Sequence, residues 1–122
     1  MKEFTLTMDY YGLLNLHKAL LEAKFHETPD NELVSGSPLV ASVYIQVRDL
    51  LIQSTKSEQW QEWFQLDNRP DYKFRALARM SKDARWPDAS DAEKKRIAES
   101  YLAPFLYNEA ELHEAVSAAD HF

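Results

Sequence analysis

Residues 37–54 read SPLVASVYIQVRDLLIQS, and their reading decides the fold. Leu39, Val40, Val43, Tyr44, Val47, Leu50 and Leu51 fall at the i, i+3, i+4, i+7 positions of a helix. Ile45 and Ile52 widen that stripe onto a second face, and Arg48 and Asp49 are the only charges. Ser37 suits an N-cap, because its hydroxyl can accept a first-turn N–H. Pro38 suits the first helical position, where a missing N–H leaves no bond unmade. A surface helix carries one apolar stripe, whereas a helix apolar around most of its girth implies neighbours on several sides. The expectation is a central helix over about 38–54 with the others packed around it.

The same periodicity extends to either side. A helix is expected from about Met8 to Glu27, capped by Thr7, with Tyr10, Leu13, Leu14, His17, Leu20, Leu21 and Phe25 on its buried face. Before it, Phe4, Leu6 and Met8 alternate weakly, as in a short strand or an extended arm. The stretch TPDNELVSGS (28–37) is rich in turn formers and reads as a loop. After the central helix, Ser57 is expected to cap Glu58–Leu66, with Trp60, Trp63 and Phe64 on one face. Pro70 then opens a helix over Asp71–Ala84, with Phe74, Leu77, Ala78 and Met80 inward. Ser90 and Glu93 form a capping box for a helix that Pro104 must end or kink. Asn108 and Glu111 repeat that pattern ahead of a last helix, about Glu109–Ala119, which has little to bury beyond Leu112 and Val116. It is expected to be loosely held or completed by a partner. The reading is one all-α domain over 1–122, a bundle of five or six helices.

Composition narrows the function. Only two glycines, Gly12 and Gly36, stand in 122 residues, which argues against a turn-rich β fold and a glycine-rich phosphate loop. Cysteine is absent, so there is no disulfide framework or thiol chemistry. No apolar run reaches the length of a membrane span, and MKEFTLTMDYY lacks the apolar core of a signal peptide. A cytoplasmic protein is expected. The net charge of −6 is unevenly spread: −3 over residues 1–55, −2 over 56–68, +4 over 69–85 and −5 over 86–122. One basic segment is followed by an end with no Lys or Arg after Arg96.

Each candidate site has a structural and a functional reading. His17, on the apolar face of the first helix, reads as a buried imidazole bonded to a carbonyl or hydroxyl, since buried polar groups find partners. The alternative makes His17 and His26 the centre of a small helical enzyme or metal protein. Glu22 and His26, and Glu109 and His113, are four apart and share helix faces. Neither is the Glu-x-x-His spacing of di-iron bundles, and HExxH is absent. No nucleophile motif is present, and Ser37, Ser57 and Ser90 read as caps. No cofactor, metal ligand or catalytic residue is assigned.

The basic helix pair at 58–85 offers a nucleic-acid reading, with Arg75, Arg79 and Lys82 outward beside Trp86. An acidic chain repels phosphates, and the structural reading makes this helix the internal partner of the acidic C-terminal helices. Trp60, Trp63, Phe64 and Trp86 read as core more than as a partner surface. The leading reading is a small acidic protein-binding module. It is of the inhibitor or immunity type and neutralises a basic partner such as a nuclease-like toxin. The expected partner-binding residues are Glu99, Glu109, Glu111, Glu114 and Asp120, with Tyr101 and Tyr107 as aromatic anchors.

Overall fold

The computed structural model describes residues 2–27 and 32–122, and the protein is all-α. Seven α-helices occur among the described residues: α1 (Tyr10–Phe25), α2 (Glu32–Ser35), α3 (Pro38–Ile52), α4 (Ser57–Trp63), α5 (Pro70–Lys82), α6 (Asp91–Leu102) and α7 (Glu109–Asp120). They are the six expected helices and the four-residue α2, which falls within the expected 28–37 loop, whose residues 28–31 lie outside the described residues. A 3₁₀ turn, Leu66–Asn68, joins α4 to α5. No strand occurs among the described residues. The Leu66 N–H donates to the Leu106 carbonyl at 3.0 Å, and the Leu106 N–H to the Phe64 carbonyl at 2.8 Å, making a lone bridge.

Local chemistry sets most helix starts. The Ser37 hydroxyl accepts from the Val40 N–H at 3.3 Å, with Pro38 at the first position of α3. At α6 the Ser90 hydroxyl accepts from the Glu93 N–H at 3.2 Å, and the Glu93 carboxylate returns a bond to the Ser90 N–H at 3.3 Å. Asn108 and Glu111 close the same box on α7 at 2.8 and 3.2 Å. Two caps differ from expectation. Helix α1 starts at Tyr10 because Asp9, not Thr7, accepts the Gly12 N–H at 2.9 Å. Residues 3–8 are exposed and lie outside any helix, strand or bridge. Ser57 is the first residue of α4 rather than its cap, and Lys56 at the cap position makes no side-chain bond there.

The core is built from Phe25, Tyr44, Leu51, Phe64, Leu66, Met80, Leu102 and Phe105, to which α7 adds Leu112, Ala115 and Ala119. Each large apolar side chain so buried contributes about 1.5–3 kcal/mol. Helix α3 packs on α1, α4 and α6 through Ala41, Tyr44, Val47 and Leu51 but is not enclosed. Leu39 is 80% exposed, and Val43 and Leu50 also face solvent. Its girth is apolar where no neighbour covers it, so the central-helix expectation is corrected to a helix with one open face. Phe74 likewise points outward, 63% exposed, while Ala76, Leu77 and Met80 carry the buried face of α5.

Helix α7 is held more firmly than expected. Lys94 reaches Asp120 at 2.7 Å, Lys95 reaches Glu109 at 2.9 Å, and the Trp86 indole N–H donates to Asp120 at 3.0 Å. Both ends of α7 are thus tied to adjacent lysines of α6. No helix among the described residues is long and apolar enough to cross a membrane.

Candidate functional site

The residues expected to bind a partner lie on α6, α7 and the turn between them. Glu99 faces solvent from the last turn of α6, and Tyr107 is half-buried in the turn. Glu99 and Glu109 both act on Tyr107. Burial first, then these two negative charges, push its phenol up to about 12 against the opposing pull of Arg48. The charges of Glu99 and Glu109 are thus both felt at Tyr107. Glu114 is exposed and makes no hydrogen bond or ion pair among the described residues. Glu111 closes the Asn108 capping box, so its carboxylate is held at the start of α7. Asp120, at the far end of α7, is shared by Lys94 and Trp86.

Tyr101 is corrected. Its side chain is 7% exposed, and its hydroxyl donates to Asp83 Oδ2 at 2.7 Å. A ring so buried and bonded cannot serve as an anchor for a docking protein. The two bonds from Arg85 to Asp83, at 3.0 and 2.8 Å, hold that carboxyl well below the usual carboxylate range.

The histidines separate into one buried and three exposed. His17 is buried, and the Tyr44 hydroxyl lies 2.8 Å from its Nδ1. Trp60, Trp63 and Phe64 surround the imidazole, each ring close to perpendicular with centroids 4.9–5.5 Å away. Burial, followed by the Lys18 charge, pushes His17 down to about 4. The hydroxyl-bonded core imidazole expected for His17 is what the fold contains. His26 faces outward and pairs with Glu22 at 3.3 Å. Among the described residues, no three His, Asp or Glu side chains converge as a metal-ion site. Phe64 and Trp86 are buried core residues, while Trp60 and Trp63 pack half-buried against that core.

Two arginines of the basic segment bond to backbone carbonyls. Arg75 Nη1 donates to the Phe25 carbonyl at 2.9 Å, and Arg79 donates to the carbonyls of Lys24 and His26 and, at 3.2 Å, to the Ser35 hydroxyl. These carbonyls close the C-terminal turn of α1, where the helix dipole is negative and intrahelical donors run out. Helix α5 packs against α6 and α7, as expected, while Arg75 and Arg79 donate to carbonyls at the end of α1. Beside it, Lys24 is 1% exposed and donates from Nζ to the carbonyls of Ser35 at 2.8 Å and Ser100 at 2.7 Å. Burial and the neighbouring Arg79 charge push it down to about 7. Sequence reasoning missed Lys24, yet the signal was present: it stands seven residues after His17, on the same helical stripe.

A pattern emerges from these bonds. Arg48 and Arg69 also donate to backbone carbonyls, those of Pro104 at 3.1 Å and Trp63 at 2.9 Å. Much of the cationic donor capacity is turned onto neutral carbonyls, while Glu99 and Glu114 keep their carboxylates in solvent. Comparison with protein-family models, curated proteins and solved structures finds no match to this chain, so its functional reading rests on this geometry.

Proposed function

We propose that this chain is a small acidic protein-binding module whose α6–α7 face covers a basic surface on a partner protein. In its most concrete form it is a cytoplasmic inhibitor of the immunity type, neutralising a nuclease-like toxin. The observation that carries the reading is the opposite disposition of the two signs of charge. Arginines of α5 are bonded to carbonyls of α1, and the carboxylates of Glu99 and Glu114 are left to meet a partner. A surface of that kind speeds encounter with a positive cleft and disfavours wrong partners. The nucleic-acid reading relies on Arg75 and Arg79 for phosphate contacts, and their bonds to α1 favour the protein-binding reading over it.

The test is affinity capture from the native host's lysate at low and at high salt, with bound protein and nucleic acid both identified. The reading expects one basic protein in stoichiometric amount, weakened by salt and lost with Glu99→Lys/Glu114→Lys. Nucleic acid released by salt, with no protein partner, would overturn it.

A further inference from the structure

A groove of the opposite electrostatic sign lies between α2 and α5. It encloses about 780 Å³, within the range of small-ligand sites. Among the described residues its charged lining is Arg75, Arg79, Lys82 and Arg85 against Glu27 and Asp83, a surplus of two positive charges. Its apolar lining includes Leu33 and Phe74, two of the most exposed large apolar side chains. The Phe122 ring covers only one side of Phe74, at 5.2 Å between centroids.

The groove is built rather than loose. Its floor is the Tyr101 ring lying on Gly36, where a Cβ would stand 2.6 Å from the tyrosine Cζ, so a larger residue at 36 would displace the ring. Asp83 fixes both the Tyr101 hydroxyl and the Arg85 guanidinium. Arg75 and Arg79 are anchored through α1 carbonyls, which fixes two cations along one wall before any ligand arrives. Lys82 is exposed and stands eight residues beyond Phe74, about 12 Å along the helix. A positive end and an apolar end are therefore separated by roughly the length of a medium-chain acid.

We propose that this groove binds a small amphiphilic carboxylate, its head at the Lys82–Arg85 end and its apolar body along Phe74 and Leu33. The site is independent of the acidic face and of the partner proposed for it. The test titrates the full chain with octanoate, following backbone amide NMR shifts, with octan-1-ol and acetate as controls carrying only the body or only the charge. Octanoate is expected to shift Gly36, Phe74, Lys82 and Arg85 saturably, and acetate to leave them unmoved. Lys82→Glu and Phe74→Ser alter exposed side chains and are expected to keep the fold. Each is expected to weaken octanoate binding about tenfold, the loss of one charge-assisted bond or one apolar contact. Four results would overturn the proposal: no saturable shift, shifts confined to Leu39, Val43 and Leu50 on α3, an equal response to octan-1-ol, or unweakened binding by Lys82→Glu.

Discussion

The α1–α5 side and the α6–α7 side of this molecule are both charged, and they use charge in opposite ways. On the first, Lys24, Arg75 and Arg79 turn inward onto backbone carbonyls near the end of α1. On the second, the starts of α6 and α7 are already satisfied by Ser90, Asn108 and the glutamates of their capping boxes. Glu99, in the last turn of α6, and Glu114, mid-way along α7, lie away from those starts and stay in solvent. A helix C-terminus near a cationic helix absorbs its charge, whereas acids away from a helix start are left over. The cations on the first side are structural, whereas Glu99 and Glu114 on the second are available.

Removing an inward cation is the strongest way to break this contrast. Lys24→Met leaves the Ser35 and Ser100 carbonyls buried without their donor. The expected loss is about 3–4 kcal/mol, net of the relief from no longer burying a charge, measured by urea unfolding. A variant as stable as the parent would mean that those carbonyls find water.

The inward side is also where pH acts. The unfolded chain protonates His17 near its ordinary 6.5, while the folded chain resists until about 4. The His17 contribution to stability is therefore level above that window and falls as pH drops through it, by about 3 kcal/mol in all. Replacing both partners, His17→Leu with Tyr44→Phe, removes the polar pair together and is expected to flatten this part of the profile. An unchanged slope in the double variant would place its origin elsewhere.

A smaller effect is expected from Arg75→Met, which frees one carbonyl at the end of α1: about 1–2 kcal/mol by the same unfolding measurement. The smallest belongs to the outward side. Glu99→Lys/Glu114→Lys is expected to change stability by no more than about 0.5 kcal/mol, because neither carboxylate holds structure. A loss as large as that of Arg75→Met would erase the distinction between the two sides.

Much of the fold was legible because helix starts are local. Ser37-Pro38, Ser90 with Glu93 and Asn108 with Glu111 each place donor and acceptor within a few residues, and all three form as read. Periodicity also grouped the right residues onto faces, but it does not say which faces are covered. Leu39, Val43 and Phe74 lie on apolar stripes and face solvent, whereas Lys24 lies on such a stripe and is buried. Asp9 displaced Thr7 as a cap because two competent caps stood two residues apart and only geometry chooses between them. At the candidate site, Glu99 and Glu114 face solvent as expected, but Tyr101 turns into the protein toward Asp83. The role of Arg75 and Arg79 was hidden for a simple reason: their partners are backbone carbonyls some fifty residues away, and a carbonyl leaves no mark on side-chain identity.

The most direct measurement is the association rate of the captured basic protein with this chain, followed from low to high salt for the parent and for Glu99→Lys/Glu114→Lys. The account predicts that the parent's rate falls steeply with salt and that the variant associates about tenfold more slowly at low salt, with a flatter dependence. Equal rates and equal salt dependence in the two proteins would contradict it.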